Sequence, residues 1–258
     1  MHGDCITLMN DIEDKSIDMI LCDLPYGVLN KSNNNTKWDS VIPFKKLWEQ
    51  YERIIKDNGA IVLFGQGMFT ADLMESNRKL WRYNLVWDKV QKRGFLNARR
   101  MPLRQHEDIC VFYKKLPTYN PQMIECEPRK KCHIKKTKHL KEEETNSCYG
   151  SYYRVYEDGM TNEMFPSSIV RFSREQSRNV LHPTQKPVSL LEWLIKTYTN
   201  ENEVVLDNCC GSGSTGVACI QTNRKFIGME LDDKYYEVAR ERLEKIKEET
   251  INERSQQT

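Results

Sequence analysis

The stretch Val204-Val205-Leu206-Asp207-Asn208-Cys209-Cys210-Gly211-Ser212-Gly213-Ser214-Thr215-Gly216 decides the fold. Its first three residues form a short apolar run that reads as a buried strand. Asp207 stands where that strand ends. Gly211, Gly213 and Gly216 then have the Gly-x-Gly-x-x-Gly spacing of a turn that leads a strand into a helix and lets a small ligand approach the backbone. Glu230 follows about twenty residues on, after a second apolar run over 226–229, where an acidic side chain can meet ribose hydroxyls. Taken alone, the pattern suits a dinucleotide, or a turn made only for tight packing. Asp207 disfavours the dinucleotide, because it would repel a pyrophosphate; it suits a nucleoside with a cationic end.

Outward from this turn, apolar runs and helical patterns alternate. Runs at 19–22, 60–64, 83–87 and 108–113 read as strands. The spacing predicts helices over 43–56, with Pro43 in its first turn and Asn58-Gly59 closing it, and around 70–77. Two more are expected over 187–199 and from the glycine turn to Gln221, and a last amphipathic helix starts near Asp232. Such alternation argues for an α/β fold, a doubly wound and mostly parallel sheet. Residues 89–104 read as basic and irregular. Residues 116–175 lack apolar runs, show no clear helix or strand, and read as an inserted module within a core of 1–115 and 176–258.

A second motif, Asp23-Leu24-Pro25-Tyr26, follows the apolar run 19–22. An ionised Asp23 can accept a hydrogen bond from an amine on a planar base. The carbonyl of Leu24 or Pro25 can accept the second one. Pro25 fixes its own φ and pushes Leu24 to an extended shape, so both carbonyls are set before a ligand arrives. Tyr26 can stack on a base face. An Asp at a strand end before a Pro turn is also a common structural arrangement.

Composition sets the outer bounds. Hydrophobic residues make up 39% and charged residues 29% of 258, as in a globular chain. No apolar run reaches the ~18 residues of a membrane span, and no signal-peptide pattern opens the sequence, so a cytoplasmic protein is expected. The nine cysteines are odd in number and several lie in apolar runs, which suits reduced thiols. Cys126, Cys132, His133, His139 and Cys148 lack a Cys-x-x-Cys pair, and no metal is expected. The formal net charge is only +2, but its distribution is uneven. Arg129, Lys130, Lys131, Lys135, Lys136, Lys138 and Lys141 form one basic cluster; Lys89, Lys92, Arg93, Arg99, Arg100 and Arg104 form another. Either can neutralise phosphates or serve as a solvated face.

Together the two motifs resemble those of the amino-group DNA methyltransferases, in the permuted beta group where the catalytic motif comes first. Four further segments are similar to that family in consistent order: Gly3-Asp4-Cys5, His182-Pro183-Thr184-Gln185-Lys186-Pro187, Gly228-Met229-Glu230-Leu231 with Tyr235-Tyr236, and the core strands around Trp87 and Glu107. The resemblance implies S-adenosylmethionine as cofactor, with Asp4, Cys5, Thr184, Lys186, Asp207, Gly211, Gly213 and Glu230 around it. It implies Asp23, Leu24, Pro25 and Tyr26 as catalytic residues, methyl transfer to an exocyclic amine of a flipped base, and double-stranded DNA as partner. The family usually has Pro at the position of Leu24, and Pro and Phe at those of Asn208 and Cys209. Asp at position 23 resembles the adenine-modifying members; cytosine-modifying relatives more often have Ser. The alternatives are N4-cytosine methylation, a non-catalytic DNA-binding relative and a protein glutamine methyltransferase. The insertion occupies the family's target-recognition position, which implies DNA contacts for Lys130, Lys131, Lys135 and Lys136. Trp38 reads as a loop anchor or a base contact, and a homodimer is among the expected assemblies.

Overall fold

A computed structural model describes residues 1–27, 39–136, 152–174 and 185–255. They form two compact units: residues 1–120 with 167–258, and residues 121–166. The large unit is built on a seven-stranded sheet. Its strands in chain order are β1 (Ile17–Cys22), β2 (Ile55–Gly65), β3 (Trp81–Arg93), β4 (Arg104–Phe112), β7 (Ile169–Arg171), β8 (Val204–Asp207) and β9 (Lys225–Gly228). Across the sheet they lie in the order β7-β3-β4-β2-β1-β8-β9. β2, β1, β8 and β9 are mutually parallel, and β4 runs against both β2 and β3. The chain leaves β1 for β2 on one side and returns to β8 on the other. That reversal opens a crevice at the carboxyl ends of β1 and β8, where open α/β sheets bind ligands.

The central strands are buried on both faces, which is why their sequences are continuous rather than alternating. Ile20, Cys22, Ile61 and Leu63 pack beneath α2 (Phe44–Ile54) and α3 (Met68–Ser76), against Leu47, Tyr51, Phe69 and Leu73. Met19, Leu21, Val62 and Phe64 face the other way, onto Leu190, Leu191, Leu194 and Ile195 of α4 (Val188–Tyr198). α5 (Ser214–Gln221) leaves the glycine turn, and α6 (Asp233–Ser255) closes the large unit. A short α1 (Cys5–Leu8) precedes β1, capped by the Asp4 carboxylate, which accepts from the Thr7 amide at 2.9 Å. None of the helices among the described residues is long and apolar enough to cross a membrane.

Three sequence expectations are corrected. Asn58-Gly59 does not close α2; the helix ends at Ile54 and both residues lie inside β2. Ile17 pairs with Ile55 but Met19 with Ala60, so β2 carries a bulge there. A Cβ on Gly59 would sit 2.8 Å from the Asp18 carbonyl oxygen, so close approach, not helix termination, explains this glycine. Residues 89–104 are not wholly irregular, because β3 runs on to Arg93 and β4 starts at Arg104. Residues 116–175 are not without strands. β7 joins the main sheet beside β3, and residues 121–166 hold an antiparallel pair, β5 (Ile124–Lys136) and β6 (Tyr152–Met164). The described side chains of that pair are mostly exposed, apolar ones such as Ile124, Tyr156 and Met160 included, so no buried face announces it.

Candidate active site

Asp23 follows the last residue of β1, and Asp207 is the last of β8. Met19 pairs with Val205 and Ile20 with Leu206, so the adjacent parallel strands deliver both carboxylates to one edge. Between and above them lies a cavity of about 420 Å³, the size range of small-ligand sites. Its lining includes Asp4, Cys5, Asp23, Leu24, Pro25, Tyr26, Lys186, Asp207, Gly211 and Glu230. Two motifs some 180 residues apart thus share one pocket.

The catalytic end is a chain of buried charges. The Asp23 carboxylate accepts from the Tyr26 hydroxyl at 2.8 Å and from the Lys186 ammonium. Lys186 also stands 3.5 Å from Glu107, and Glu107 takes a hydrogen bond from Lys89. The other Glu107 oxygen, Oε2, is the one that faces Lys186, and among the described residues it is buried without a hydrogen bond. Burial pushes the Asp23 pKa up, against the pull of Lys186. Burial also opposes the Lys186 charge, but Asp23 and Glu107 outweigh it and hold its pKa up. Glu107 is held below the usual carboxylate value because its two lysines outweigh its burial. The Tyr26 ring lies 4.5 Å from Phe69, centroid to centroid.

The other end is made of carboxylates that face backbone and hydroxyl donors. Asp207 accepts from the Thr215 hydroxyl at 2.6 Å and from the Cys209 amide at 3.1 Å. Burial pushes its pKa up to about 6, although both donors favour the charge. Glu230 accepts from the amides of Gly211 at 2.8 Å, Leu231 at 3.0 Å and Asp232 at 2.9 Å. It therefore holds the glycine turn as well as lining the pocket. Gly213 has φ 76°, and a Cβ there would meet the Ala239 Cβ at 3.2 Å. Its freedom thus serves both the turn and the packing of α6. Asn208, in place of the family's usual Pro, accepts from the Tyr51 hydroxyl at 2.5 Å in the core.

These carboxylates fit the cofactor that the sequence implied. A nucleoside offers hydroxyls to Glu230, its cationic end suits Asp207, and Asp4 stands where the resemblance implies the adenine. Sequence reasoning placed Lys186 with the cofactor, whereas its ammonium lies on Asp23. It read Lys89 with the basic cluster and Glu107 only as part of a core strand, whereas the structure buries Lys89 against Glu107; Tyr51, the partner of Asn208, was read only as a point on a helix face. Cys5 is buried and lines the pocket. Thr184 and Trp38 lie outside the described residues, as do the side chains of Lys135 and Lys136. Lys130 and Lys131 are exposed on β5.

Comparison with known proteins places this geometry. The chain is 28% identical over 256 residues to the type II methyltransferase M.HpaI of Haemophilus parainfluenzae, covering 94% of this chain and 73% of that one. It is 27% identical to the DNA adenine methyltransferase YhdJ of Escherichia coli K12, covering 95% and 82% respectively. The crystal structure of the M1.HpyAVI–SAM complex superposes with a TM-score of 0.61 at 23% identity, over 94% of this chain and 97% of that one, and shows the shared fold. A model of the N6/N4 family described as DNA methylase matches residues 17–241, and the chain belongs to that family.

Proposed function

We propose that this chain transfers the methyl group of S-adenosylmethionine to the exocyclic N6 amine of adenine in DNA. One observation carries the reading: Asp23 and the Asp207–Glu230 end open into a single pocket at the switch point of the sheet. The amine lone pair of adenine is delocalised into the ring, so the site must orient the nitrogen. Asp23 accepts one amine hydrogen, and a carbonyl of the Leu24–Pro25 turn accepts the other. The substrate amine displaces the Tyr26 hydroxyl from Asp23, which frees the Tyr26 ring to stack on the base. Lys186 remains on the second Asp23 oxygen and balances its charge where burial makes that charge costly. Asp207, Asp4 and Glu230 hold the cofactor, which supplies an electrophilic methyl group when bound. The base must leave the duplex to reach this depth. Rate then comes mainly from alignment of the reacting nitrogen. The N6 nitrogen gains the methyl group as the methyl–sulfur bond breaks and a neutral thioether leaves, and the extra N6 proton, held on the Asp23 carboxylate by its hydrogen bond, is released to solvent.

Residues 121–166 are proposed to read the target sequence, with Lys130 and Lys131 on phosphates. Supporting this is the exposure of the hairpin, whose described side chains, basic Lys130 and Lys131 among them, are mostly open to solvent. The experiment uses purified protein, tritium-labelled cofactor and plasmid DNA, followed by digestion to nucleosides and mapping of the methylated sites. Label in N6-methyladenine is expected. Label in N4-methylcytosine would replace the adenine assignment, and no incorporation would overturn the activity.

A further inference from the structure

The two-stranded ribbon made by β3 and β4 overhangs the active site. Cys22 is level with Leu63, Leu63 with Cys110, and Cys110 with Asn84. The level of Asp23 on β3 is therefore Leu85. β2 stops at Gly65, level with Asp108 and Val86, but the β3–β4 pairing continues through Trp87–Glu107 and Asp88–His106 to Arg93–Arg104. Counted along β4 from Asp108 to Arg104, the ribbon runs about 13 Å past the end of β2. It is anchored at its base. β7 pairs with Val86, Trp87 and Asp88, and Lys89 and Glu107 join the charge chain that ends on Asp23. Val90 has φ 64°, and the Asp88 carboxylate accepts from its amide at 2.8 Å, so the extra residues of β3 form a held bulge.

The tip of this ribbon is unusual. Gly94, with φ 88°, turns the chain into a 3-10 segment over Phe95–Asn97. The turn closes on itself: the Asn97 amide donates to the Gly94 carbonyl at 2.9 Å, and those of Arg100 and Met101 donate to the Asn97 carbonyl at 2.8 and 3.0 Å. This ordered turn presents Phe95 at 78% exposure and Leu96 at 84%. Arg93, Arg99, Arg100 and Arg104 surround the pair in sequence and are all exposed. Single exposed apolar residues need no explanation. An aromatic and a leucine side by side on a held turn, flanked in sequence by four exposed arginines and set at the catalytic edge, do.

We propose that the 94–103 turn is a DNA wedge: Phe95 and Leu96 enter the base stack near the target, while Arg99 and Arg100 bind the flanking phosphates. Apolar side chains that part base steps are a recurring device among DNA-binding proteins, with basic residues holding the backbone around them. A flipped base leaves a gap in the stack, and a rigid apolar pair fills it at small ordering cost. Charge complementarity selects nucleic acid as the occupant, because four arginines around an apolar pair would repel a second copy of the same turn. The inference rests on the methyltransferase reading given above.

The test compares wild type with Phe95→Ala/Leu96→Ala and Arg99→Ala/Arg100→Ala on a duplex carrying the mapped site. One version has the target adenine paired and one has it mispaired, which lowers the cost of extrusion. For the apolar double variant, kcat/KM should fall about tenfold or more on the paired duplex and no more than about threefold on the mispaired one. Phe95→Trp should keep wild-type behaviour, and cofactor affinity should be unchanged in every variant, which reports an intact fold. The arginine double variant should flatten the salt slope of DNA binding by about 1.8, at about 0.9 per phosphate. Equal losses on the two duplexes, or no loss on either, would overturn the wedge. So would a wild-type dimer that the apolar double variant converts to monomer, since the patch would then belong to self-association. Failure of the wild type to methylate the paired duplex would sink the methyltransferase reading instead.

Discussion

The two ends of the pocket treat charge in opposite ways. At the catalytic end, Asp23, Lys186, Glu107 and Lys89 alternate in sign and neutralise one another below the surface. At the cofactor end, Asp207 and Glu230 point at backbone amides and a hydroxyl. The first arrangement prepares a site for a neutral ligand: a base amine can replace one partner of Asp23 without changing the net charge. The second leaves negative charge to be met by a cation. In the proposed function a sulfonium and an ammonium would supply it, and the pocket would distinguish its two ligands by charge before it does so by shape.

If the ends are separable, damage to one should spare the other. The largest effect is expected for Asp23→Ala, which removes the acceptor of the amine. Turnover should fall on the order of a hundredfold or more, as for loss of a positioned electrostatic group. Cofactor affinity should stay near wild type. Stopped turnover with equally lost cofactor binding would show that the ends form a single unit. The converse variant is Glu230→Ala. A carboxylate contact to a hydroxyl pair is worth roughly 1.5–3 kcal/mol, so cofactor Kd should rise about tenfold to a hundredfold. DNA affinity without cofactor should hold. Glu230 supports the turn through both oxygens, one on Gly211 and the other on Leu231 and Asp232, so Glu230→Gln is the milder companion variant: it loses the charge, keeps one acceptor and sets its NH2 against the remaining amide. Calorimetry showing wild-type affinity in both variants would remove Glu230 from the site.

The contrast also has a pH signature. Asp207 is raised to about 6 from 3.8 by burial. A carboxylate shifted this way adds stability that is full below pH ~4 and is lost as pH rises through about 6, up to about 3 kcal/mol. A bound cation pulls the other way, because it favours the ionised form. Cofactor affinity should therefore increase as pH rises from 5 to 7, by about tenfold. Asp207→Asn should flatten that rise. Titration calorimetry at the two pH values decides it, and a flat profile in the wild type would show that Asp207 is not facing the cationic end.

Legibility in the sequence followed the same physics. The doubly buried strands announced themselves, since Ile20-Leu21-Cys22 and Ile61-Val62-Leu63 must be apolar on both faces. The motifs did so too, because Asp23 and Asp207 each stand at a strand end and the glycine spacing encodes a turn. What stayed hidden was contact between distant segments. Lys186 meets Asp23 and Glu107 only because β1, β4 and the chain before α4 converge. Asn58-Gly59 misled because a glycine needed for close approach has the same appearance as one that ends a helix. The β5–β6 pair was missed because its strands are held by backbone pairing rather than by a buried face.

That hairpin gives the smallest expected effect and sharpens a second contrast, between two basic surfaces. Lys130 and Lys131 lie on β5, the former paired with Met160 across the hairpin. The ribbon tip instead places its arginines beside apolar side chains at the catalytic edge. If the hairpin reads the target through phosphate contacts, Lys130→Ala/Lys131→Ala should flatten the salt slope by up to about 1.8, again at about 0.9 per contact. The loss of affinity should be similar for DNA with and without the mapped site, because phosphates position a protein and base edges specify it. Turnover at saturating DNA should hold, in contrast to the ribbon variants, whose defect lies in extrusion of the base. An unchanged slope would leave these lysines as a solvated face, and phosphate binding would pass to the ribbon arginines. A loss confined to DNA with the mapped site would instead assign the pair to base contacts.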